Sequence, residues 1–150
     1  MRAFPVILQV EDREDDVFLL RRALRAAELE ADVRVALDGQ AAIDYLSATD
    51  KAQSPVPYLV LLDLKLPQRM GLEVLEWIRM QPALRGLIVI VLSSSMHEGD
   101  LRRAYELGVN AFLVKPSDTH TLTDICRAVK HFWLTHNQPP ARPTEPDPSE

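Results

Sequence analysis

The stretch YLVLLDLKLP at residues 58–67 limits the possible folds of this chain more than any other. Its first five residues are apolar without alternation, so neither face of the segment is left for solvent. A strand of this kind belongs inside a parallel sheet that is covered on both sides. Residues 6–10 (VILQV) and 87–92 (LIVIVL) have the same character. Two weaker segments join them: 32–37 (DVRVAL), which alternates as a half-exposed edge strand does, and 111–114 (AFLV).

Between these runs the apolar spacing becomes helical. Val17, Leu20, Leu24 and Ala27 share one face of a first helix, and Ile43 and Leu46 mark a second after Asp38-Gly39. Val74, Leu75 and Ile78 mark a third that should stop near Pro82. Leu101, Ala104 and Tyr105 mark a fourth with Gly108 as its C-terminal stop; Leu122, Ile125, Cys126, Val129 and Trp133 run down a fifth. Strand and helix thus alternate five times, which predicts an α/β fold with a parallel sheet and helices on both faces. A length of 150 residues suits one such domain. Five of the 11 prolines fall in the last 13 residues with no apolar run to bury, so 138–150 reads as a flexible tail after a domain spanning 1–137.

Bulk properties exclude several function classes. A net charge of −5 argues against nucleic acid or an anionic membrane as the main partner. The N-terminal apolar run is too short for a signal peptide, and the longest run, 87–92, is far short of a membrane span. Cys126 is the single cysteine, which fits a reducing compartment; the expected location is cytoplasmic.

The polar residues then fall at one end of the sheet. The first strand ends in Glu11-Asp12, the third in Asp63, the fourth in Ser93-Ser94-Ser95 and the fifth in Lys115-Pro116. These are C-terminal strand ends, where open α/β sheets place their ligand sites. If the first and third strands are neighbours, Glu11, Asp12 and Asp63 converge, and their mutual repulsion calls for a cation. A hard divalent ion such as Mg²⁺ suits an all-oxygen donor set. With Lys115 and the Ser93 hydroxyl beside it, the site is suited to a phosphoryl group: Asp63 as nucleophile, the cation and Lys115 taking up charge on the equatorial oxygens.

The residues VED (10–12), LLDLKLP (61–67) with Gly71, VLSSS (91–95) and FLVKP (112–116) resemble, in order, the receiver domain of two-component response regulators. The resemblance covers roughly residues 5–134. It implies a flavodoxin-like, doubly wound (βα)5 fold with strand order 2-1-3-4-5 and phosphorylation of Asp63 by a cognate histidine kinase. It also implies Asp12 and Asp63 as direct Mg²⁺ ligands, Glu11 through water and the backbone carbonyl of Lys65 as another. Ser93 and Phe112 correspond to the family's switch pair, and Lys115 to its phosphate-binding lysine, which family members join to the next proline through a cis bond. The VED start, DLKLP, the helix with Tyr105 and the ending HFWL (131–134) are most similar to single-domain receivers that partner phytochrome-type kinases. Two positions depart from the pattern: Met70 stands where an acid or amide is usual, and Gln9 puts an amide inside the first strand.

Other features have plainer explanations. Glu14, Asp15 and Asp16 favour the dipole of the first helix, and Ser94 and Ser95 read as turn residues. Arg21, Arg22 and Arg25 read as a solvated helix face, Cys126 as core, and the four histidines show no ligand spacing. An aspartate-nucleophile phosphohydrolase is the enzymatic alternative, but that class needs an aspartate at position 65, which is lysine. A degenerate receiver acting as a constitutive binding module would not need the full set of site residues. The expected activity is therefore signalling, with catalysis confined to the protein's own phosphorylation and dephosphorylation. Phe132 and Trp133 are consecutive and cannot both face one core, so a large ring should be exposed, and a homodimer through the last helix is expected.

Overall fold

A computed structural model describes residues 4–49, 54–94 and 97–140. Ser95 and tail residues 141–150 lie outside the described residues. Five strands, β1 (Val6–Val10), β2 (Asp32–Ala36), β3 (Leu59–Leu62), β4 (Ile88–Ser93) and β5 (Ala111–Val114), form one parallel sheet ordered β2-β1-β3-β4-β5. They alternate with five helices, α1 (Glu14–Ala26), α2 (Gly39–Ser47), α3 (Gly71–Met80), α4 (Glu98–Glu106) and α5 (Thr119–His131). The parallel α/β sheet is what the strand and helix patterns predict, and its order is that of the flavodoxin-like fold implied by the resemblance.

The continuous apolar runs are explained by what covers them. Alternate residues of the central strands feed two cores. On one face Leu8, Val10, Val60, Leu62, Val89 and Val91 pack with Leu75 and Ile78 of α3. On the other, Ile7, Leu59, Leu61 and Ile90 meet Leu20 and Leu24 of α1 and Leu122, Cys126 and Val129 of α5. Each fully buried aliphatic side chain contributes about 1.5–3 kcal/mol, so β1, β3 and β4 have no tolerance for a slip in register. At the edge, β2 is half-buried over all but its last residue, as its alternation predicts.

The ends of the helices follow local rules. Asp38 caps α2 by accepting from the Ala41 N–H at 2.7 Å, and Asp118 caps α5 through Thr121. Gly108, at φ +91°, closes α4, with the Val109 N–H reaching back to the Ala104 carbonyl. Tyr105, expected on the apolar face of α4, is exposed instead, because that helix buries the small Ala104 against the sheet and turns the tyrosine outward. After α5 the chain winds through a π-helical turn (Phe132–His136) that the sequence did not signal. There Trp133 and Leu134 pack on the α1–α5 core while Phe132 is exposed. Residues 138–140 are exposed and irregular. Every described peptide bond is trans, so the cis bond implied for Lys115–Pro116 is not observed.

One close approach fixes the floor of the functional end. Gly71 opens α3 directly beneath the β3 terminus, and its N–H bonds the Leu64 carbonyl at 2.9 Å. A methyl group there would strike the Asp63 carbonyl oxygen and lie 2.6 Å from Leu64 Cα. Gly71→Ala is therefore expected to cost about 1–3 kcal/mol, read as a lower urea midpoint. An unchanged midpoint would mean the backbone at Asp63 and Leu64 is free to shift.

Candidate functional site

The sheet order makes β1 the neighbour of both β2 and β3, so successive strands are added in opposite directions from it. The crevice at that reversal lies above the C-terminal ends of β1 and β3. In-register pairing of Val10 with Leu62 sets the following residues, Glu11 and Asp63, side by side. The Asp63 N–H also bonds the Val10 carbonyl at 3.1 Å, and the Glu11 N–H bonds Ala36, so both acids stand on fixed backbone. Carboxylate oxygens of Glu11, Asp12 and Asp63 lie within 4.8 Å of one another. Glu11 and Asp63 are buried, at 3% and 8% exposure, and Asp12 is exposed.

Lys115, on the residue after β5, reaches into this cluster. Its Nζ donates to Glu11 Oε2 at 2.6 Å, Asp16 Oδ2 at 3.1 Å and Asp63 Oδ2 at 3.3 Å. Its backbone N–H extends the sheet ladder by bonding the Ser93 carbonyl at 2.8 Å, which fixes where the side chain starts. Burial pushes the Lys115 ammonium down, but the hydrogen bonds and charges of Glu11, Asp63 and Asp16 outweigh it and hold it above the ordinary lysine value. Glu11 is pushed up, first by burial and further by Asp63, against the opposing pull of Lys115 and the Arg13 N–H. Two buried carboxylates therefore depend on one ammonium for compensation.

The other expected residues sit around this centre. Ser93 is fully buried at the end of β4. Phe112 pairs in register with Val91 and is half-buried against the core on the α3 side. Strand alternation places Ser93 on the same face as Val91. Lys65 is exposed and contributes its backbone N–H, 3.3 Å from Asp63 Oδ1. Met70 is also exposed, so its departure from the usual residue type leaves the carboxylate cluster intact. Cys126 is buried in the α1–α5 core, where burial pushes its thiol up to about 12.

Sequence reasoning missed Asp16, which is a direct partner of Lys115 and not merely a dipole residue. The signal was available: Leu20 is buried, and stepping back one helical turn along that stripe reaches Asp16. Gln9 is buried, and among the described residues its Oε1 has no hydrogen-bond partner. It lines a cavity of about 50 Å³ together with Glu11, Asp16, Lys115 and Leu122, large enough for an ordered water.

Comparison with known proteins fits this geometry. The sequence profile of the response regulator receiver domain matches residues 7–127. A probable methanogenesis regulatory protein, FilR2 of Methanothrix harundinacea, is 38% identical over 90% of this chain and 87% of its own. Response regulator Rcp1 of Synechocystis is 37% identical over 86% of this chain and 88% of its own. The crystal structure of the Mn²⁺-bound form of Rcp1 superposes with a TM-score of 0.81, covering 91% of this chain and 99% of that one. The phosphorylated cyanobacterial phytochrome response regulator RcpA gives 0.83 at 34% identity, covering 93% of this chain and 100% of that one.

The carboxylates fit the divalent cation that receiver domains bind at this pocket: the donor set is all oxygen, and its net charge exceeds what Lys115 neutralises. Removing Lys115 should expose that imbalance. Lys115→Met is expected to lower stability by about 3 kcal/mol in chelator, with part of the loss restored by millimolar Mg²⁺. Equal thermal midpoints for mutant and parent in chelator would show that the ammonium compensates nothing.

Proposed function

The chain belongs to the response regulator receiver domain family of two-component signalling, and on that premise we propose that it is a phosphorylation-controlled switch whose acceptor is Asp63. The observation that supports this best is the meeting of Glu11, Asp12 and Asp63 with Lys115 at the end of the sheet. A phosphohistidine of the cognate kinase is the donor. An Asp63 carboxylate oxygen bonds to phosphorus as the bond from phosphorus to the imidazole nitrogen breaks, and the electron pair stays with the imidazole. Asp12, Asp63 and the Lys65 carbonyl, with Glu11 through water, would hold Mg²⁺, which would supply positive charge to the phosphoryl oxygens. Lys115 gives up its bond to Asp63 and donates to a phosphoryl oxygen. Receiver domains are signalling proteins, not enzymes proper. The exposed lysine at position 65 gives a phosphohydrolase no second acid.

Switching follows from the pairing of Ser93 with Phe112. The Ser93 hydroxyl hydrogen-bonds the acyl phosphate and moves toward it, and the half-buried Phe112 ring fills the space left behind. A phytochrome-type histidine kinase as the input is supported by the likeness to RcpA, a cyanobacterial phytochrome response regulator. FilR2, equally similar in sequence, is a probable methanogenesis regulatory protein, so the scaffold itself does not dictate the input. Among the described residues no helix is long and apolar enough to cross a membrane.

Incubation with acetyl phosphate and Mg²⁺ should add one phosphoryl mass to the intact protein. Asp63→Asn or excess chelator should abolish the addition; labelling that survives either would refute the site. Ser93→Ala should still be labelled but lose the change in amide exchange around Phe112, and an unaltered exchange pattern would remove Ser93 from the switch.

Output by binding requires an adhesive surface. Tyr105 of α4, Val114 of β5 and Phe132 beyond α5 are exposed, and Phe132 stands edge-on to the packed Trp133 at 4.8 Å between ring centres. The proposed assembly is a symmetric homodimer through this region, formed by the receiver unit 1–137 with the tail 138–150 outside it. Sedimentation should show a dimer at tens of micromolar that Phe132→Ser weakens. A monomer under all conditions, phosphorylated or not, would eliminate it.

A further inference from the structure

Lys115 has three N–H donors, and all three are committed: to Glu11, Asp63 and Asp16. Two of those acceptors belong to the carboxylate cluster that fits a cation, and Asp16 does not. Asp16 comes from the first turn of α1 and is only partly exposed. Its further ion-pair partner, Arg13 at 3.7 Å, is 71% exposed and holds it loosely. A divalent cation held by the cluster would neutralise Glu11 and Asp63 and would set two positive charges against the ammonium. Of the three partners of Lys115, Asp16 alone then keeps its full charge for the lysine.

We infer that Asp16 is the positioning residue for Lys115: it anchors the ammonium beside the pocket while the cation is bound, so that the lysine remains within reach of a phosphoryl group on Asp63. Without that anchor the four-carbon stem would carry the ammonium toward solvent, because Lys115 lies at the rim and is already 15% exposed. The same bond joins α1 to the loop after β5, so the position of the lysine is coupled to the packing of α1. This inference rests on the assignment of Asp63 and Lys115 as phosphoryl acceptor and phosphoryl ligand.

The test compares Asp16→Asn, Asp16→Glu, Lys115→Gln and the double variant Asp16→Asn/Lys115→Gln. Asp15→Asn is the control for loss of one acid from the same helical turn, since Asp15 is exposed. At saturating Mg²⁺, Asp16→Asn should slow labelling by acetyl phosphate about tenfold relative to Asp15→Asn, the scale on which orienting partners act. Asp16→Glu should recover much of the rate, and the Asp16→Asn effect should vanish in the Lys115→Gln background. A second readout is independent of turnover: acylation of Lys115 by an amine-reactive ester, mapped by mass spectrometry. In the parent protein Mg²⁺ should leave Lys115 protected, whereas in Asp16→Asn it should expose it. If Mg²⁺ alone exposes Lys115 in the parent, or if Asp16→Asn behaves as Asp15→Asn does, the anchor is refuted while the phosphoryl site stands. If the parent is not labelled, or Lys115→Gln labels at the parental rate, the underlying site assignment fails instead.

Discussion

A single ammonium group holds the functional end of this protein together. Lys115 Nζ lies within 3.3 Å of carboxylates from three different parts of the chain: Glu11 after β1, Asp16 in α1 and Asp63 after β3. Burying Glu11 and Asp63 without a counter-charge would cost several kcal/mol, on the order of half of a small domain's stability. The lysine is delivered by β5, the strand at the opposite edge of the sheet from β2, so the order of strands and the electrostatics of the pocket are one requirement. The two-faced apolar strands exist to hold those loop residues in register, and Gly71 exists to let α3 start directly beneath Asp63.

This arrangement is balanced in a way that favours exchange. The cluster carries more negative charge than one lysine neutralises, and burial first, with the neighbouring Asp63 after it, holds Glu11 above its ordinary value despite its contact with Lys115. A divalent cation would relieve that excess, and in the proposed reaction a phosphoryl group on Asp63 would then offer Lys115 a new acceptor. Each step would trade one set of charge partners for another within a few ångströms, without rebuilding the core. In the proposed switch Ser93 and Phe112 would turn such a local trade into a change of surface, because Ser93 is fully buried and any movement of it would alter packing.

Much of this was legible in the residues. The runs at β1, β3 and β4 announced themselves because strands covered on both faces cannot afford polar positions, and the exceptions at their ends marked the site. Tyr105 follows Ala104 and looks apolar in the sequence, but α4 buries Ala104 and leaves the tyrosine exposed. Asp16 was hidden among three consecutive acids whose simplest role is to oppose the helix dipole, and only the stripe through Leu20 distinguishes it. The π-helical turn leaves no periodic signature in five residues, so the sequence could say that Phe132 and Trp133 diverge but not which ring is buried. Gln9 lines the small cavity it shares with Glu11, Asp16 and Lys115, and among the described residues its Oε1 has no hydrogen-bond partner.

Lys115 is the counter-ion of the carboxylates in metal-free protein, a role that a divalent cation would take over. The most direct measurement is the side-chain ¹H–¹⁵N resonance of the Lys115 ammonium during a Mg²⁺ titration. In metal-free protein the account predicts an observable, slowly exchanging ammonium that shifts saturably as Mg²⁺ binds, and no shift in Asp63→Asn/Asp12→Ala at the same concentrations. An ammonium that exchanges with solvent as a surface lysine does in metal-free protein, or one indifferent to Mg²⁺, would contradict it.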